Sequence, residues 1–302
     1  MKRTSLVLTA VLAACGPAVV QKVEPLDLRN ALPAPDPKFF DVASGEMEIP
    51  PQSEMMFCTD LTYDGEDVAF DLLETSQGKF GHHAVLLAAK KPKESGTVVD
   101  CTDVTTMADY DAYTIGDTEL PKGHGTFLPK GKKMVLQSHY LNTGKVPILV
   151  RDVVRVRKVA VADVTIWDSI FVNNSLEMVI PPHSMGVKQE FDCPVAVDTT
   201  VLMLGGHMHE WGAQFESTYI SATGDVTPVY KVETWKPEYR DVPPVDLYLT
   251  APRLFKAGGK MHTVCTWNNT SDATLKFPSE MCTLFGFVQG SKEPIICGAP
   301  KL

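Results

Sequence analysis

The chain has 302 residues, 44% of them hydrophobic, and its 28 basic against 37 acidic side chains give a formal net charge of −9. That balance argues against a nucleic-acid partner held through phosphates and leaves small or neutral partners. With 21 glycines and 22 prolines it is too rich in turn formers for a helical bundle, yet too apolar to be disordered, so one large or two ordinary folded domains are expected.

Residues 1–15 carry Lys2 and Arg3 ahead of an uncharged stretch, 4–14. This is the length of a signal-peptide core and much too short to span a bilayer. It ends in Leu12-Ala13-Ala14-Cys15, which resembles a bacterial lipobox, where a cysteine is lipidated and becomes the new N-terminus. The expectation is an exported bacterial lipoprotein, held on the periplasmic face or cell surface by lipid and not by a membrane helix. Cys15 also resolves an odd count. Of seven cysteines, its removal leaves Cys58, Cys101, Cys193, Cys265, Cys282 and Cys297, most simply three disulfides in an oxidising compartment, with 15 possible pairings. No C-x-x-C spacing supports a thiolate zinc site or a redox pair.

Residues 16–40 are Pro-rich and without a sustained period, as suits a linker. Beyond them, short β-branched and apolar runs recur between turn signals, among them residues 84–89, 134–141, 146–167, 199–209 and 282–288. Val154-Arg155-Val156-Arg157 alternates like a strand with one wet face, and no long stretch has a helical period. The fold class predicted is all-β, with two tandem jelly-roll-like antiparallel β-sandwich domains at 41–163 and 164–302. The boundary follows the cysteines, two of which precede it and four of which follow.

Five of the eight histidines keep unusual company: His82 and His83 in GKFGHHAVLL, His139 in VLQSHYLN, and His207 and His209 in LGGHMHEWG. Alternate residues of a strand share a face, so His207 and His209 can meet one ion. Adjacent His82 and His83 would point to opposite faces, and joint ligation calls for a bulge or strand end, which Gly78 and Gly81 favour. His124, His183 and His262 lie beside Gly, Pro or Lys and read as structural or solvated. Clustered imidazoles in an exported chain suit zinc or copper, and a thioether ligand would decide for copper.

From Cys58 to Cys297 the order of landmarks resembles the type II copper, ascorbate-dependent monooxygenases, the family of peptidylglycine α-hydroxylating monooxygenase and dopamine β-monooxygenase. Those landmarks are the His82-His83 pair, LPKGHGTF (120–127), VLQSHY with His139, VIPP (179–182), the H-x-H of His207 and His209, and Glu280-Met281-Cys282. The resemblance implies two coppers per chain: His82, His83 and His139 hold an electron-supplying copper in the first domain, and His207, His209 and Met281 an oxygen-binding, catalytic copper in the second. It implies disulfides Cys58 to Cys101, Cys193 to Cys297 and Cys265 to Cys282, with fewer cysteines in the first domain than the family's fuller set. It implies hydroxylation of a C–H bond with O2 and a small reductant such as ascorbate, by a lipid-anchored monomer. Gln137 lies where the family has a glutamine between the sites, and fits equally an ordinary strand residue; Tyr140 suits core packing. A copper-binding or copper-delivering lipoprotein without substrate oxidation would need the same six ligands.

The chain departs from the peptide-amidating members at the residues that grip a substrate carboxylate. Gly205, Thr283 and Phe285 stand where those members have arginine, asparagine and tyrosine. With no cation and no phenol there, a neutral, more apolar substrate is expected.

Overall fold

The computed structural model describes residues 23–102, 109–114, 117–175, 177–240, 242–248, 250–277 and 279–298. The export segment and Cys15 lie outside them. Among the described residues the protein is all-β: every regular element is a strand except two short 3-10 turns, Val161–Asp163 and Pro237–Arg240. None of them forms a helix long and apolar enough to cross a membrane.

The strands build two sandwiches. In the first, a five-stranded sheet runs in the order Val98–Asp100, Ser53–Thr62, Lys133–Asn142, Gly81–Ala89 and Tyr110–Ala112. Lys133–Asn142 lies at its centre, hydrogen-bonded on both sides, and is buried almost throughout, which is why MVLQSHYL is a continuous run and not an alternating one. Leu86, Met134 and Leu136 of this sheet meet Phe70, Leu73, Val154 and Val156 of a facing sheet in one apolar core. In the second sandwich a four-stranded sheet, ordered Ser184–Pro194, Lys260–Asn269, Gly212–Ile220 and Val226–Val232, packs Phe215, Met261 and Trp267 against Phe171, Leu204, Leu284 and Val288. Cys282–Gln289, which carries the last two, alternates between buried and half-buried residues, a strand with one core face.

The structure adds a link that the sequence did not suggest. The facing sheets of the two sandwiches are one sheet of eleven strands, joined where His124–Leu128 runs parallel to Ile166–Ser175 through the pairs His124 with Ile166 and Gly125 with Trp167. At this seam Nδ1 of His124 lies 2.6 Å from Oδ2 of the fully buried Asp168. His124 is therefore structural, while His183 is an exposed partner of Asp272 and His262 a partner of Asp192.

The disulfides pair Cys58 with Cys101, Cys193 with Cys297 and Cys265 with Cys282, at Cα separations of 5.8, 5.4 and 6.1 Å. The last two cross the second sandwich from one sheet to the other, as staples between layers.

Candidate metal centre

His83 stands opposite His139 across two paired strands, and the next pair is Tyr140 with Gly81, so His82 is an extra, bulged residue. The bulge turns the side chain that a regular strand would point away toward its neighbours. Phe80 enters it with φ of 72°, a left-handed conformation rare for an aromatic residue. Gln77 secures the bend: its Nε2 donates to the carbonyls of His83 (3.0 Å) and His139 (3.3 Å) and to Asp152 (3.1 Å). A Cβ at Gly81 would stand 2.1 Å from Cγ of Gln77, so glycine there makes room for the brace. Tyr140, fully buried, hydrogen-bonds Asp152 through its hydroxyl and stacks on Phe57.

The three imidazoles converge through one kind of atom. Nδ1 of His82 is 3.0 Å from Nδ1 of His139 and 3.1 Å from Nδ1 of His83. Their ring nitrogens form a group within 4.8 Å of one another. Nε2 of His139 faces Oε1 of Glu54 at 2.8 Å. Burial, reinforced by His139 and His82, pulls the pKa of His83 down to about 3, with a hydrogen bond that Gln137 accepts from the ring opposing it, so this ring is neutral. Gln137 is thus bonded to a cluster member, in a strand where it is 4% exposed.

The second cluster uses the opposite nitrogens. Nε2 of His207, at the end of Thr199–His207, is 3.1 Å from Nε2 of His209, whose Nδ1 meets the Ser279 carbonyl at 3.1 Å. Burial drives the pKa of His209 down to about 4 and that of His207 well below its ordinary value. Glu280, fully buried, organises the surrounding loops: its carboxylate accepts from the backbone N–H groups of His209 (2.9 Å), Trp211 (2.7 Å) and Met281 (3.3 Å), and from the Trp267 indole (3.1 Å). Burial pushes its pKa up to about 6 against those donors. One carboxylate therefore fixes the backbone of both His209 and Met281, and the Cys265–Cys282 bridge pins the residue after Met281.

Both clusters open onto one cavity of about 150 Å³, lined by Glu54, Met56, Thr102, His83 and His139 from the first sandwich and His209, Ser279 and Met281 from the second. The nitrogen spacings in each cluster suit a single bound metal ion. Ring nitrogens 3.0–3.1 Å apart approach the roughly 3.3 Å separation of two nitrogens bound tetrahedrally at about 2.0 Å to one ion. Every cysteine of the two sandwiches is tied in a disulfide, so no thiolate is offered; imidazole suits copper and zinc alike, and a thioether donor would select Cu(I).

Gly205 pairs with Phe285, and a Cβ at Gly205 would stand 2.5 Å from the Phe285 ring. The ring fills the space a longer side chain at 205 would need. Thr283, opposite His207, has a buried hydroxyl with no hydrogen-bond partner. The groups a sequence reading misses here are Glu54, Gln77 and Ser279, together with the organising role of Glu280, whose only trace is a glutamate beside the candidate ligand Met281.

No protein-family model matches the chain, and no curated protein matches it. Among solved structures it is similar to the major capsid protein P2 of bacteriophage PM2, at 7% identity and a TM-score of 0.35, with 83% of this chain and 97% of that one covered. The STIV MCP follows at 9% identity and a TM-score of 0.31, with 83% and 96% covered. PNGase F, a glycosylasparaginase from Flavobacterium meningosepticum, matches at 9% identity and a TM-score of 0.31, with 89% and 95% covered.

Proposed function

We propose that the protein is a copper-dependent monooxygenase that hydroxylates a C–H bond of a small, neutral or apolar substrate with O2 and a reductant such as ascorbate. The observation that carries this reading is that His83 and His139 of one cluster and His209 and Met281 of the other line a single cavity, with His82 and His207 at 3.0–3.1 Å from those imidazoles. Copper in these sites would supply one electron from each and activate oxygen, the thioether favouring Cu(I) at the second.

The chain's own residues do the rest. His82, His83 and His139 turn Nδ1 atoms toward one another, burial disfavouring the charged form of His83, and His207 and His209, whose charged forms burial also disfavours, face each other through Nε2. Met56 and Met281 give the cavity apolar walls, and its volume of about 150 Å³ suits a molecule about the size of benzene. Gly205 and Phe285 offer a substrate carboxylate neither a cation nor a phenol, so a neutral group fits beside them better.

Residues 41–163 would form the electron-supplying domain and 164–302 the oxygen-binding one. The other six cysteines are all bonded to one another, which leaves Cys15 available for the lipid that would anchor the exported protein to a bacterial membrane. Metal analysis combined with oxygen uptake over a panel of small arenes and amides tests the function. Two coppers per chain with reductant-dependent, substrate-stimulated uptake is the expected result. Two coppers without uptake would turn the reading to copper binding or delivery, and no copper would overturn both.

A further inference from the structure

We infer that Glu54 is a positioning and redox-tuning residue of the first copper site, a role that rests on the copper reading above and goes beyond it. Glu54 lies on Ser53–Thr62, two residues from Met56, which stands directly opposite His139. Residues two apart on a strand share a face, so the carboxylate reaches diagonally across the pair to His139. Its Oε1 is 2.8 Å from Nε2 of His139.

That contact selects the tautomer that a neutral His139 ring, the form a metal takes, adopts. A carboxylate only accepts, so Nε2 carries the proton and Nδ1 keeps its lone pair. Nδ1 is the atom that faces Nδ1 of His82 at 3.0 Å. The second cluster solves the same problem differently, with the Ser279 carbonyl at 3.1 Å from Nδ1 of His209. One site thus leans on a charged acceptor and the other on a neutral one. A carboxylate bonded to the far nitrogen raises the basicity of a ligand imidazole and favours the more highly charged metal state. Glu54 therefore stabilises Cu(II) over Cu(I) at His82, His83 and His139, which makes this copper the better electron donor of the two. Met281 at the second site pulls the other way. The asymmetry sets the direction of electron flow.

The test uses the full chain and two substitutions at a side chain 54% exposed, where neither threatens the fold. Copper competition titrations and EPR-monitored redox titrations are run on wild type, Glu54→Gln and Glu54→Ala. Glu54→Gln keeps an oxygen that can accept from Nε2 but removes the charge. It should weaken Cu(II) binding at one of two sites by about 10- to 100-fold, weaken Cu(I) binding less, and move one of two redox transitions to more positive potential. Glu54→Ala, which also loses the orienting contact, should weaken both oxidation states at that site. The other copper should not move in either variant. Wild type with two coppers and both variants unchanged in affinity and potential would overturn the role of Glu54 alone. A wild type whose copper content is unaffected by His139→Ala would overturn the copper reading together with it.

Discussion

His82, His83 and His139 sit within a sheet, on two strands hydrogen-bonded along their length, and the irregularity that unites them is a single bulge braced by Gln77. His207, His209 and Met281 begin at a strand end and finish in two loops, and what unites those is a buried carboxylate and a disulfide. The first arrangement draws its rigidity from the ladder, and the second from a few polar contacts around Glu280. Damage at a distance should therefore be tolerated by the first site and transmitted by the second.

The largest contrast should come from Met281→Ala. Copper at His82, His83 and His139 should stay, while reductant-dependent oxygen uptake falls to background; loss of both coppers would show that the two donor sets are not separable. Next is Glu280→Ala, which strands four N–H donors, two of them in fully buried contacts, at a cost of about 3 kcal/mol or more. Urea unfolding should register that loss, and Glu280→Gln, which keeps an acceptor oxygen, should lose less. Copper should be weakened at His207 and His209 and left unchanged at the first cluster.

Replacing both Cys265 and Cys282 by Ser opens a bridge of sequence separation 17 and should cost about 3 kcal/mol. Calorimetry would measure it, and copper binding at the second site should weaken in the same variant. The last contrast is a pH dependence of the metal-free chain. His83 and His209 have folded pKa values of about 3 and about 4, below the ordinary 6.5. As pH falls below 6.5 the unfolded chain takes up protons that the folded chain refuses, so stability is full above that pH and lost progressively toward about 4 for His209 and about 3 for His83. Denaturant midpoints that rise on acidification through this window would contradict the buried, neutral state of these rings.

The sequence carried the candidate ligands because donor chemistry is local. The H-x-H spacing, the paired histidines beside glycines and the Met next to a cysteine can each be read within a few residues. The bulge at His82 was legible for the same reason, since two adjacent histidines cannot share a face without one. Glu54 was not legible, because its contact with His139 spans 85 residues and depends on strand register, which no local pattern fixes. Gln77 and Ser279 escaped likewise, as their work is done by and for backbone groups. Sandwich architecture followed from the strand pattern, but the fusion of two sheets at Gly125 and Trp167 rests on two backbone pairs with no side-chain signature.

That seam bears on any attempt to take the protein apart. Cutting between the sandwiches would free the stretch where His124 and Gly125 pair with Ile166 and Trp167, the further part of Ile166–Ser175 keeping its pairing with Ile295–Cys297. Each fragment would then display unpaired N–H and C=O groups beside apolar residues, a template for stacking with its own copies. Half-molecules made for spectroscopy of one copper at a time should precipitate or dimerise through this edge, and ligand substitutions in the intact chain are the safer way to isolate each site.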